Sequence, residues 1–172
     1  LFTDMLCKEA IPKGLHALKQ LMAEESTEAR DALAQVSLFG GLALANSGLG
    51  VVHGIAGPLG GLCGAPHGAI CGALLPAGIA ANRDNVVDAN QKARVDQVIG
   101  WIAEVFETSS EQALPQFREW IAQHGLPGLA SIGVTEDHIA LASQAAASSS
   151  SMKAKPVVLS TATIENIMRQ SF

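Results

Sequence analysis

The sequence predicts an all-α fold, a multi-helix bundle, on three observations. Apolar residues recur at three- and four-residue spacing through several segments, no segment alternates apolar and polar as a half-buried strand does, and no internal repeat is present. The chain is 48% hydrophobic with only 4% aromatic residues and no Tyr, so its core is filled by Ala, Leu, Ile and Val. Ala and Leu head the ranking of helix formers, which suits closely packed helices. A length of 172 residues fits one domain that buries its own core.

The first helix runs from Leu1 to Ala23, with Leu6, Ala10, Leu15 and Leu18 on one side. Pro12 lacks a backbone donor and is expected to kink or divide it. Ser26 or Thr27 caps a second helix that reaches about Asn46. From Ala32 to Asn82 no side chain is charged, and this stretch is predicted to be the centre of the molecule. Beyond Arg83 amphipathic helices follow at about Asn90 to Glu107, Glu111 to His124 and Thr135 to Ala147. Thr135 is placed to cap the last of these, although His138 stands where a capping box carries Glu. Ala147 to Pro156 reads as a mobile surface loop, and Ser160 caps a closing helix over Thr161 to Arg169.

Several function classes are disfavoured. The net charge is -5 and the 11 Lys and Arg residues are scattered, so no basic block exists to track phosphates and nucleic acid is not an expected partner. Cys7, Cys63 and Cys71 form an odd, sparse set without a secretory leader, which points to reduced thiols in the cytoplasm. The uncharged run is long enough for two membrane spans of about 20 residues each. Asn46, His53, Pro58, His67 and many glycines interrupt it, and no Trp or Tyr belt or basic cluster flanks it, so a buried helix pair and no membrane are expected. The chain opens at Leu1 inside a helical pattern, as a fragment or processed product would.

His53 and His67 are the polar side chains that carry chemistry in the uncharged run. They lie fourteen residues apart. On one unbroken helix that separation spans about 21 Å, whereas two nitrogens on one metal stand no more than about 4 Å apart. A shared metal therefore requires the chain to fold back. Gly57-Pro58 and Gly60-Gly61 are expected to loosen the first helix, and Gly64-Ala65-Pro66 to end it and start another, with His67 at the new N-terminus facing His53. Other readings of the same residues stand beside this one. Each His can be a core residue bonded to a backbone carbonyl, and the glycines can serve tight helix packing with no ligand. Cys63, His67 and Cys71, joined by His53, can form a structural zinc site, provided Pro66 bends a chain that would otherwise hold the two thiols about 12 Å apart. No G-x-G-x-x-G follows a strand, so no cofactor-binding residue is assigned.

The run GLGVVHGIAGPLGGLCGAPHGAICGALLP, from Gly48 to Pro76, resembles the signature of the iron-containing alcohol dehydrogenase family: G-L-G-x-V-H, then P-L-G-G, P-H-G and L-L-P. Gly125 to Pro127 as G-L-P, Gly133 to Asp137 as G-V-T-E-D, and K-A-K-P-V-V-L-S before the last helix extend the resemblance over nearly the whole chain. It implies that residues 1–172 are that family's C-terminal helical domain, of the dehydroquinate-synthase-like kind, and that the N-terminal nucleotide-binding domain is absent from this chain. It implies a divalent metal, iron or zinc, held by one Asp and three His, two of which correspond to His53 and His67. The other two ligands belong upstream of Leu1. It further implies hydride transfer between an alcohol or carbonyl substrate and NAD or NADP in the complete enzyme, a homo-oligomer, and inactivity of this chain alone, to which no catalytic residue is assigned. Gly57 stands where most members carry a His beside the substrate cleft, which leaves a maleylacetate-reductase-like branch as open as a simple alcohol dehydrogenase. A non-catalytic helical interaction module derived from the family is the alternative.

Overall fold

A computed structural model describes residues 2–154 and 156–172. Leu1 of the expected first helix and Lys155 of the expected loop lie outside them. The described residues form eight α-helices and two short 3-10 turns, with no strand. The helices are α1 (Phe2–Ala23), α2 (Thr27–Ser47), α3 (Val51–Cys63), α4 (His67–Asn85), α5 (Ala89–Val105), α6 (Ala113–Gln123), α7 (Glu136–Ala147) and α8 (Thr161–Gln170). The all-α prediction is met. The chain divides into two compact units, one of the residues up to Gly48 with Gln97–Ala113, the other of Leu49–Asp96 with Leu114–Phe172.

In the first unit α1 and α2 form a helical hairpin. Ala10 and Ala17 are buried on α1, and a Cβ at Gly14 would stand 3.1 Å from Val36 Cγ1, so small residues set the distance between the two helices. Pro12 lies inside α1 without dividing it. One missing donor and one displaced carbonyl are local losses, and the turns on either side keep their own bonds. Ser26 ends the connection as the cap of α2: its hydroxyl accepts the Ala29 N–H at 3.2 Å and the Gln20 side-chain amide at 3.0 Å. Replacing Ser26 with Ala should therefore lower stability by about 1 kcal/mol, read as a lower midpoint in urea at unchanged slope. Lys19 Nζ donates to the Val105 carbonyl at 2.7 Å and lies 5.6 Å from the centre of the Phe106 ring, which ties α1 to the end of α5.

The second unit is built on α3 and α4. Val51, Ile55 and Leu59 recur every four residues on one face of α3, and Ile70 and Leu74 do so on α4. Ile55, Leu59, Ile70 and Leu74 are completely shielded and share one core with Ile139 of α7 and Ile164, Ile167 and Met168 of α8. Pro58 and the Gly60-Gly61 pair lie within α3, which continues to Cys63, so the predicted loosening does not interrupt it. Burial of Ile55, Ala56 and Leu59 on the same helix outweighs the weak helix propensity of Pro58 and the two glycines.

Three further features differ from the sequence reading. The second half of the expected surface loop is anchored: Ser150–Met152 is a 3-10 turn, and Met152 is buried. A Cβ at Gly54 would stand 2.6 Å from Met152 Sδ, so that glycine makes room for the anchor. A single apolar residue among serines and alanines supplied too little pattern to reveal it. His138 completes the start of α7, its Nδ1 accepting the Thr135 N–H at 3.2 Å in the place of a capping-box Glu. The uncharged run is central only from α3 onward. On α2, Leu38 is 60% exposed and Leu44 44% exposed. Among the described residues no single helix is long and apolar enough to cross a membrane. The pair α2 and α3 reaches that length and composition only together, broken between Ser47 and Val51.

Candidate metal centre

The turn between α3 and α4 brings the two histidines together. Gly64 takes φ 69°, the left-handed conformation that favours glycine, and its N–H closes on the Gly60 carbonyl at 2.9 Å to end α3. Pro66 then sits at ψ 128°, and its carbonyl accepts the N–H groups of Ala69 and Ile70 at 3.0 and 3.1 Å, which starts α4 at His67. Beneath the turn a Cβ at Gly60 would touch Ile70 Cδ1 at 3.4 Å, so the two helices approach closely where the backbone reverses. The result is that rings fourteen residues apart have centroids 5.4 Å from each other, tilted by 48°. The predicted convergence of His53 and His67 is present.

A thiol joins them. Cys71 lies one turn beyond His67 on α4, and its Sγ stands 3.4 Å from His67 Nε2. One donor atom from each of His53, His67 and Cys71 falls within 4.8 Å of the other two. Cys63, which the zinc alternative required, is outside this group. It is the last residue of α3, before the Gly64 turn, whereas Cys71 lies on α4. The signal for Cys71 was its four-residue spacing from His67, obscured by pairing it with Cys63.

The environment favours the ligand form of the His53 imidazole. Burial lowers the pKa of His53, and the neighbouring His67 lowers it further by repelling a second positive charge. A neutral imidazole is the metal-binding form. Burial raises the pKa of the Cys71 thiol. His53 and Cys71 are half-buried while His67 is exposed, so the cluster opens to solvent on the His67 side. Among the described residues neither ring bonds a backbone carbonyl, unlike a satisfied core histidine. The donor set fits a divalent ion in kind: two nitrogens on a tetrahedral centre at about 2.1 Å lie about 3.4 Å apart, and the His53 and His67 donors lie within 4.8 Å of each other.

Gly57 lies one turn after His53 on the same face of α3, is exposed, and a Cβ there would meet nothing within 4 Å. The position thus has room for a larger side chain. Gly57→His should leave stability within about 0.5 kcal/mol of the parent, with any change favourable because Gly is the poorer helix former. A drop in melting temperature of more than a few degrees would show that the space is not free.

The family model described as "Fe-containing alcohol dehydrogenase family, C-terminal" matches residues 1–172. Alcohol dehydrogenase 4 of Schizosaccharomyces pombe is 34% identical over 110 residues, covering 63% of this chain and 25% of that protein. The NAD-dependent methanol dehydrogenase of Bacillus methanolicus is 28% identical over 151 residues, covering 86% of this chain and 39% of its own. The crystal structure of a 1,3-propanediol oxidoreductase superposes with a TM-score of 0.81 at 28% identity, over 99% of this chain and 45% of that one. The chain spans less than half the length of these proteins.

Proposed function

We infer the function from one premise: the chain belongs to the iron-containing alcohol dehydrogenase family, as its C-terminal helical part. In our reading it is the metal-binding half of an NAD(P)-dependent oxidoreductase that interconverts an alcohol and a carbonyl compound. The observation that carries the reading is the meeting of His53 and His67 at a ring-centroid distance of 5.4 Å, on a turn built for close approach.

His53 and His67 would hold a divalent metal, iron or zinc, as neutral imidazoles. An ion held there would supply the positive charge that polarises a substrate oxygen and favours alkoxide over alcohol. The chain's own part is positional. The buried faces of α3 and α4 fix both rings, the half-buried side of His53 limits water, and the exposed side of His67 leaves an approach for substrate. Gly57 leaves that approach wider than a His would, which suits a bulkier alcohol or carbonyl substrate. The nicotinamide cofactor and the remaining metal ligands would come from an upstream nucleotide-binding half. The exposed apolar side chains Met5 and Leu38 suit burial against that half or against a second copy of the chain.

Alone, the chain should not reduce NAD+ or NADP+ with any alcohol, because hydride transfer needs a cofactor site beside the metal. A form carrying a nucleotide-binding half ahead of Leu1 should do so when supplied with iron or zinc, seen as nicotinamide absorbance. Absence of turnover in that longer form, with either cofactor and either metal across small alcohols and aldehydes, would contradict the reading.

A further inference from the structure

The donor cluster contains one atom more than the histidine pair requires. Cys71 is carried by the same helix as His67, and the residues on either side of it in the core pattern, Ile70 and Leu74, are completely buried. Its position is therefore fixed by packing and not by the flexibility of a loop. A tetrahedral zinc with bonds of about 2.1 Å to nitrogen and about 2.3 Å to sulfur sets those two donors about 3.6 Å apart. His67 Nε2 and Cys71 Sγ stand at 3.4 Å, within a few tenths of an ångström of that edge. The third donor, from His53, lies within 4.8 Å of both and reaches from the other side of the turn.

We propose that Cys71 is a third ligand, as a thiolate, to the ion held by His53 and His67, and that this set of two nitrogens and one sulfur directs the site toward zinc-like ions over iron. The proposal rests on the reading of the two histidines as ligands and extends it by one residue. On binding, the thiol gives its proton to solvent and a metal–sulfur bond forms, with no change of oxidation state. Thiolate is a soft donor and favours zinc and cobalt in tetrahedral sites, whereas carboxylate and imidazole alone discriminate less. This chain supplies three of the donors, and the upstream half proposed above would complete the shell. The two helices then act as jaws, α3 giving one donor and α4 two.

Cobalt(II) separates this proposal from the reading beneath it, because sulfur bound to cobalt gives a charge-transfer band in the near ultraviolet that nitrogen does not. Titrating the 172-residue chain anaerobically with Co2+ should produce that band together with the visible bands of a tetrahedral ion. Cys71→Ser should abolish the charge-transfer band and weaken binding about tenfold or more, while Cys63→Ser should change neither. Co2+ binding that depends on His53 and His67 but shows no charge-transfer band would overturn the role of Cys71 and leave the histidine pair standing. A band that survives His67→Ala, or no Co2+ binding at all, would overturn both.

Discussion

Replacing His67 with alanine should weaken zinc binding by the chain at least about 100-fold while leaving its helix content unchanged. The two halves of that result have separate causes. Loss of a group that merely orients a ligand costs about 10- to 100-fold in affinity, and removing a ligand itself costs no less. The fold is spared because His67 is exposed at the first position of α4, whose start is fixed by the Pro66 carbonyl and whose burial is supplied by Ile70 and Leu74. Calorimetric titration with zinc, set beside far-ultraviolet circular dichroism of the same samples, reads both. Undiminished affinity would remove His67 from the metal centre.

The largest loss of stability should come from Leu59→Ala, about 2–5 kcal/mol. Leu59 is completely buried, belongs to the shared core of α3, α4, α7 and α8, and lies less than two turns beyond His53. Truncation removes apolar burial and leaves a cavity in a region that glycines and alanines have already packed tightly, so the walls have little freedom to close. Because the same face of α3 sets the position of His53, zinc affinity should fall as well. Urea denaturation measures the first effect. A loss below about 1 kcal/mol would mean that the helix pair is not the centre of its unit.

The parts of the fold legible in the sequence are those where a repeated pattern coincides with a terminus signal. Ser26 and Ser160 marked helix starts because their hydroxyls satisfy backbone donors, and both do so in the structure. The reversal before His67 was legible because Gly64 and Pro66 leave the backbone few alternatives. Pro12 and Pro58 misled for the opposite reason: each removes one hydrogen bond, and neighbouring burial decides whether the helix survives. The uncharged run also concealed a difference that composition does not encode, since α3 is buried while much of α2 is exposed. At the site, the cost of placing two imidazoles among apolar residues singled out His53 and His67, and the family resemblance, not their spacing, implied a shared metal. Cys71 was harder to recognise, because a part-buried thiol is commonplace in a core and only its distance from His67 gives it a role.

The central claim is that His53 and His67 hold one ion, and a crystal of the chain grown with zinc tests it most directly through anomalous scattering at the zinc edge. The account predicts a single strong peak about 2.1 Å from one nitrogen of each ring, in the turn between α3 and α4. A zinc peak bonded elsewhere, with the two imidazoles left free of metal, would contradict it.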